Sequence, residues 1–211
     1  MKKTLLIVTI CLLQVAAFSQ KSRVGIFGGY SSSNMHGKTG GVTSNGNALN
    51  GFTFGLMVDA PIGKSKFSFQ PTLQYAQKGQ LYSKTNDTKK YLALRYAEML
   101  VNFVYSSKGA NGGFFVGLGP SIATPLPSTK VTKTGSSKAN TAVIFGDKGA
   151  ADYRSLDYGA DVLAGYRFAK GYFLSVNYNF GIRNILPGDP KDELRNGWLA
   201  VKLGILVNNK K

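Results

Sequence analysis

The chain has 211 residues and a formal net charge of +16, although only 17% of its residues are charged. It contains 26 glycines, 13 phenylalanines and 11 tyrosines. Few charges with abundant glycine and aromatic residues argue against a helical bundle, and an apolar fraction of 43% argues against disorder. The composition favours many strands joined by glycine-containing turns.

Residues 1–19 have the pattern of a secretory signal peptide. Two lysines precede an apolar stretch from Leu5 to Val15, and the small residues Ala17 and Ser19 precede the expected cleavage site. We therefore expect residues 20–211 to form the exported domain. No later segment approaches the length of about 18 apolar residues that a membrane helix needs. The remaining structure able to span a membrane is a closed β-barrel.

Strict alternation of apolar and polar residues is clearest from Leu156 to Phe168, where every even-numbered residue is apolar. A period of two predicts a strand with one apolar face. The pattern recurs in seven other segments, so we expect eight strands, an even number typical of outer-membrane barrels. The other segments are 23–32, 52–60, 67–76, 97–105, 114–123, 172–183 and 198–207.

The connections between these segments alternate in length. Short turns are expected at 61–66, 106–112 and 169–171. Long segments are expected at 31–50, 80–90, 126–154 and 185–196. This alternation is typical of up-and-down outer-membrane barrels, whose short turns face the periplasm and whose long loops face outside.

Alternation alone also fits a soluble, lipocalin-like barrel. A bulky apolar face with aromatic residues near the strand ends, a face rich in Gly, Ser, Asn and Asp, and the signal peptide favour the membrane barrel. We therefore predict an all-β, eight-stranded antiparallel up-and-down transmembrane barrel. Side chains fill so narrow a lumen, which argues against a diffusion pore. The expected polar network of the lumen contains Asp59, Glu98, Asp157, Asp161, Arg167, Asn179 and Arg183.

The turn at 169–171 also predicts a register. If Phe168 faces Tyr172, antiparallel pairing places Asp157 opposite Arg183 on the lumen face. Directly opposed side chains lie close enough for an ion pair. The alternative is two independent charges at the rim, and a β-bulge would shift the register.

Lysines are concentrated in two of the long segments, and facing outward they would lie near the phosphates of lipopolysaccharide. The alternative is that they only keep exposed loops soluble. The candidates for contact with lipopolysaccharide are Lys84, Lys89, Lys90, Lys130, Lys133 and Lys138. The apolar residues 143–145 either bind a partner or fold onto the barrel rim. Export argues against nucleic acid as a partner.

Catalytic and metal-binding residues are scarce. Cys11 would leave with the signal peptide, and His36 is the only histidine. A lone histidine with a serine and a carboxylate can serve hydrolysis, as in barrels that modify lipid A. No carboxylate lies near His36 in the sequence, which favours a solvated loop histidine. We therefore expect no catalytic residue, metal site or cofactor.

The segments 51–62 (GFTFGLMVDAPI) and 66–79 (KFSFQPTLQYAQKG) resemble the PorT-like outer-membrane β-barrel family of Bacteroidetes. Residues 117–120 and 157–166 are similar to later strands of that family. The resemblance implies an eight-stranded barrel of the outer membrane and no catalytic residues. It also implies an alternative function, because some members are accessory proteins of secretion. The leading hypothesis is a non-enzymatic barrel whose loops contact lipopolysaccharide or an envelope protein. The alternatives are an accessory subunit of a secretion or surface-attachment system and, third, a lipid A-modifying enzyme.

Overall fold

The computed structural model describes residues 22–85, 87–108, 112–147, 150–188 and 191–208. The predicted signal peptide, residues 1–19, lies outside the described residues. Within the described part of the chain, no helix is long and apolar enough to cross a membrane. The strands are β1 (Arg23–Thr39), β2 (Val42–Asn45), β3 (Leu49–Pro61), β4 (Phe67–Lys84), β5 (Thr88–Ser106), β6 (Gly113–Thr134), β7 (Ser137–Ala142), β8 (Asp157–Arg167), β9 (Tyr172–Gly181) and β10 (Glu193–Asn208).

Eight of these strands form a closed antiparallel ring in the order β1-β3-β4-β5-β6-β8-β9-β10. The ring closes where β10 pairs with β1, from Arg23 opposite Asn208 to Lys38 opposite Glu193. The short strands β2 and β7 lie outside the ring and pair with β1 and β6. The predicted eight-stranded, antiparallel up-and-down barrel is therefore confirmed.

Several strands are longer than the alternation predicted. β4 and β5 continue as a hairpin to Lys84 and Thr88, and β6 continues to Thr134 before a tight turn leads into β7. Much of the segments 80–90 and 126–154, expected as loops, is therefore strand. Hydrophobic alternation fades there because these parts of the strands lie beyond the apolar band of the barrel, so neither of their faces has to be apolar. We call this end the loop end, and the end with the short turns, Arg23 and Asn208 the turn end.

The two faces of the ring are placed as predicted. On β8, Val162 points outward and is 48% exposed, whereas its neighbours Asp161 and Leu163 point inward and are buried. Phe54, Leu73, Phe103, Leu118, Leu174, Val176 and Leu203 are other exposed apolar residues of the outer face. These residues form the apolar band that a lipid bilayer would cover.

The turn-end half of the lumen is filled by what we call the phenylalanine layer. It contains Phe27, Met57, Val104, Phe115, Leu163, Phe173 and Leu206. Each phenylalanine ring lies over a glycine of a neighbouring strand, as Phe173 does over Gly204. A Cβ atom on Gly204 would lie 2.5 Å from Cζ of Phe173. Glycine on the lumen face therefore makes room for aromatic rings across the strand.

Candidate functional site

Asp59 is the centre of a buried charge cluster at the turn end of the lumen. Its carboxylate forms an ion pair with Arg23, and the Arg167 guanidinium lies 3.5 Å from the same oxygen, Oδ2. The Ser68 hydroxyl donates to Oδ1 of Asp59 at 2.7 Å. Two guanidinium groups and a hydroxyl thus compensate a carboxylate with no solvent exposure. Alternation in the sequence predicts Asp59 and Arg167 in the lumen, whereas Arg23 was not predicted there.

Asp161 lies in the middle of the lumen and accepts two amide hydrogen bonds. The side-chain amides of Asn102 and Asn177 each donate to its Oδ2 at 3.0 Å. The predicted network residue Asn179 is also buried, and its amide donates to Ser121 Oγ at 2.8 Å. Asp161 is opposite Asn179 in the sheet, so the predicted register of β8 and β9 is confirmed at this position.

Lys78 forms the third charge cluster, nearer the loop end. Its ammonium group lies 2.8 Å from Glu98 Oε1 and 3.3 Å from Asp157 Oδ2. The amide groups of Gln74 and Asn196 donate to the same two carboxylates at 2.8 and 3.0 Å. Lys78 thus lies between the predicted network residues Glu98 and Asp157.

Lys78 and Lys202 are the main lumen residues that were not predicted from the sequence. Lys202 is 2% exposed and donates to Gln74 Oε1 at 2.8 Å. A lysine within a single strand is usually interpreted as solvent-exposed, so neither residue was assigned to the lumen. The sequence did carry a signal for Lys202. On β10 it falls at every second residue with Trp198 and Ala200, and the residues between them are apolar and face outward.

Arg183 does not belong to the lumen network, and the predicted pair between Asp157 and Arg183 does not form. β9 ends at Gly181, and the amide groups of both Ile182 and Arg183 donate to the Tyr158 carbonyl, at 3.0 and 3.2 Å. Two residues opposite one is the geometry of a β-bulge. The Arg183 side chain instead forms a 3.1 Å ion pair with Asp147 at the rim.

The loop end of the lumen is closed by an apolar group that we call the mouth cluster. It contains Met35, Leu92, Leu94, Tyr96, Ala123, Val143, Tyr153 and Ile185. Of the apolar patch 143–145, Val143 is buried in this cluster and Phe145 packs against it, whereas Ile144 is 59% exposed. Of the two interpretations left open for the patch, the structure therefore shows folding onto the rim.

Polar contacts hold residues 143–153 at the mouth. The Ile144 amide donates to Asp152 Oδ2 at 3.0 Å, and the Lys130 ammonium forms an ion pair with Oδ1 of Asp152. The Ile144 amide and the Lys130 ammonium both lower the pKa of Asp152. Burial raises the pKa of Tyr153, whose hydroxyl lies 3.4 Å from that of Tyr82.

The six lysines proposed for lipopolysaccharide contact do not form a single group. Four of them lie side by side on the neighbouring strands β4, β5, β6 and β7, each directly opposite the next. These four are Lys84, Lys89, Lys133 and Lys138. Lys90 follows Lys89 on β5 and therefore points to the opposite face. The ammonium group of Lys130 is paired with Asp152. We call the four aligned residues the lysine row.

His36 is on strand β1, so its predicted position in a loop is wrong. It is exposed and lies opposite Arg195 of β10 and Asn45 of β2. Among the described residues, no hydrogen bond joins its ring to a serine or a carboxylate. The local arrangement is therefore that of a solvated surface histidine.

The lumen leaves little free space between these layers. A cavity of about 20 Å³ lies between the phenylalanine layer and the polar network, lined in part by Asn102, Arg167 and Lys202. This is room for about one water molecule. In the part of the chain that the structure describes, the lumen is therefore nearly filled by side chains.

The chain path is similar to that of several solved structures. The attachment invasion locus protein Ail of Yersinia pestis, solved with the heparin analogue sucrose octasulfate, is 13% identical with a TM-score of 0.44, over 90% of this chain and all of that one. Neisserial surface protein A is 12% identical with a TM-score of 0.46, over 86% of this chain and 96% of that one. The outer-membrane protease OmpT of Escherichia coli is 10% identical with a TM-score of 0.38, over 90% of this chain and 97% of that one.

No curated protein sequence matches this chain. The family model described as "Outer membrane protein beta-barrel domain" matches residues 18–186. That match covers most of the strands of the closed ring, from β1 to β9. The chain therefore belongs to the outer-membrane β-barrel domain family.

Proposed function

We propose that this protein is a non-enzymatic outer-membrane barrel whose basic loop end contacts the phosphate groups of lipopolysaccharide. The observation that carries the proposal is the position of the lysines. Lys84, Lys89, Lys133 and Lys138 are exposed at the loop end, and no ion pair with a described acidic residue compensates them. In outer-membrane barrels that end faces the outside of the cell.

The closed lumen supports a binding role at the surface over a transport role. The mouth cluster, the Lys78 and Asp161 clusters, the phenylalanine layer and the Asp59 cluster follow one another along the lumen from the loop end to the turn end. Binding of an anionic surface is favourable by about 1 kcal/mol for each lysine near it. Four lysines on one face therefore supply enough affinity for a useful contact without any catalytic group.

The direct test is the stability of the purified barrel in bilayers of different headgroup chemistry. We expect lipopolysaccharide to raise the denaturant midpoint of unfolding relative to zwitterionic lipid, and the increase to shrink as salt is added. Dephosphorylated lipopolysaccharide is the matched control and should give little increase. Equal midpoints with the two forms of lipopolysaccharide would contradict the proposal.

The two alternatives have their own readouts. A changed lipid A mass profile in a deletion strain would favour a lipid A-modifying enzyme. Recovery of secretion components after crosslinking in intact outer membranes would favour an accessory subunit of a secretion or surface-attachment system.

A further inference from the structure

The lysine row is a line of positive charge that runs across a four-stranded sheet. Lys84 is opposite Lys89, Lys89 is opposite Lys133, and Lys133 is opposite Lys138. Directly opposed residues share one face of a sheet, and neighbouring strands lie about 4.8 Å apart. The four side chains therefore start from a line roughly 14 Å long.

Such a line is unfavourable for folding. Like charges directly opposite each other in a sheet destabilise it. Lysine is common on edge strands because it prevents association with other sheets, and this explains Lys84 and Lys138. Lys89 and Lys133 lie on the two inner strands, where no edge needs protection. These two lysines lower stability and serve no structural purpose in the sheet, which points to a binding role.

The surroundings of the lysine row keep its charge available. None of the four ammonium groups forms an ion pair with a described acidic residue, including Asp87 in the turn between β4 and β5. The Lys89 ammonium lies 5.3 Å from the centre of the Tyr91 ring, on the same face. Leu92, which follows Tyr91 on β5, points to the opposite face and packs in the mouth cluster. The row is thus on the outer face of a sheet anchored to the barrel core.

The row lies well beyond the apolar band. On β5 the outward-facing residues are apolar from Tyr105 to Ala97, and Arg95 is the first charged one, with its guanidinium donating to the Pro127 carbonyl at 2.8 Å. Lys89 is six residues further, about 20 Å along the strand. A ligand of the row can therefore approach from the medium outside as well as from the lipopolysaccharide beside the barrel.

We propose that the lysine row binds a soluble, linear anionic polysaccharide laid across the four strands. A sugar ring is about as long as the spacing between two strands, so a polymer with one anionic group per sugar matches the four ammonium groups. This ligand is a soluble polymer and therefore differs from the membrane-bound lipopolysaccharide of the proposed function. The proposal rests on the proposed function in one respect, namely that the loop end faces outside.

The test compares two variants that lose the same number of charges. In the first, Lys84, Lys89, Lys133 and Lys138 are all changed to Gln. In the matched control, four exposed lysines of the turn end are changed to Gln, and these are Lys64, Lys66, Lys108 and Lys170. The probes are dextran sulfate and polygalacturonate, with uncharged dextran as the blank, and calorimetry measures binding to the folded protein in detergent micelles.

We expect the row variant to lose affinity for both charged probes by about five-fold per lysine, hence more than 100-fold in all. The control variant should stay within about two-fold of the wild type. The row variant should also unfold at an equal or higher denaturant concentration, because repulsion along the row is relieved. This stability readout separates lost binding from lost folding.

Each other outcome has a definite meaning. Unchanged affinity in the row variant, or equal losses in both variants, would overturn the proposal. Binding of lipopolysaccharide by the wild type without binding of either charged polysaccharide would overturn it while leaving the proposed function standing. Polysaccharide binding that is lost only in the row variant, without any response to lipopolysaccharide, would uphold it and remove the proposed function.

Discussion

Lys78 compensates two buried carboxylates at once. Its ammonium group, 1% exposed, lies between Glu98 and Asp157. Removal of one partner from a buried ion pair leaves a charge without compensation, which costs about 3–5 kcal/mol. We therefore predict that Lys78→Met lowers the free energy of unfolding in lipid vesicles by about that amount.

The double variant Lys78→Met with Glu98→Gln is the matched control for this prediction. It removes one positive and one negative charge, so it should recover part of the lost stability. Urea titration followed by gel migration without boiling measures both variants. If the double variant is no more stable than Lys78→Met alone, the two charges are not coupled.

The lumen residues show how far a single sequence can predict such a network. Alternation was sufficient to place Asp59, Glu98 and Asp161 inside, because parity alone fixes the face of a regular strand. It failed at Arg183, where the bulge at Tyr158 changes which residue points inward. Because β9 ends at Gly181, too few strand residues follow this bulge for a shift of the alternation to be visible in the sequence.

At the scale of strand pairs, the contacts between phenylalanine and glycine set the packing of the lumen. A Cβ on Gly204 would lie 2.5 Å from both the Phe173 ring and the Ile26 carbonyl oxygen. Since the backbone oxygen cannot move away cheaply, we predict that Gly204→Ala destabilises the barrel by about 1–3 kcal/mol.

Gly28→Ala is the control for this prediction, because a Cβ there meets no atom within 4 Å. It should leave stability unchanged or raise it slightly through lost freedom of the unfolded chain. Unfolding midpoints in urea compare the two variants. Similar midpoints for both would contradict the prediction, because both the Phe173 ring and the backbone at Ile26 would then move at little cost.

The segment 143–153 is the element whose position should depend on pH. The pKa of Asp152 is lowered from its ordinary value of 3.8 in the folded state. The carboxylate therefore contributes stability above pH 3.8, and this contribution is lost as the pH falls through the lowered folded pKa. We predict faster hydrogen exchange at the amides of Ile144 and Tyr153, relative to the intrinsic rate, below that pH.

Asp152→Asn removes the titrating group and should make this protection independent of pH in the same range. Protection lost equally in the wild type and in Asp152→Asn would assign the pH response to another group. The barrel strands β8 and β9 serve as an internal reference, because their hydrogen bonds do not involve Asp152.

The strands beyond the apolar band were harder to predict than those within it. Residues 127–142 were expected as loop because no apolar face runs through them. The signals present were weaker, namely the β-branched residues of β6 and Gly135, whose φ of 56° forms the turn before β7. Outside the membrane, strand pairing rests on backbone hydrogen bonds and turn geometry, and neither produces a hydrophobic period.

For the whole molecule, the order of layers along the lumen predicts its permeability. The mouth cluster seals the loop end, the Lys78 and Asp161 clusters fill the middle, the phenylalanine layer fills the turn-end half and the Asp59 cluster lies at the turn end itself. A cavity of about 20 Å³ remains between these layers. Eight strands give a lumen that side chains can fill. We therefore predict no large, steady conductance when the purified protein is inserted into planar bilayers.

A variant with Phe27, Phe115 and Phe173 all changed to Ala tests whether the layers close the lumen independently. Because the charge clusters and the mouth cluster remain, this variant should also be non-conducting, although it should unfold at a lower urea concentration. Stable channels of nanosiemens scale in the wild type would contradict the closed lumen. Channels only in the triple variant would show that the phenylalanine layer alone is the seal, and that the ion pairs of Lys78 and Asp59 leave a path for ions.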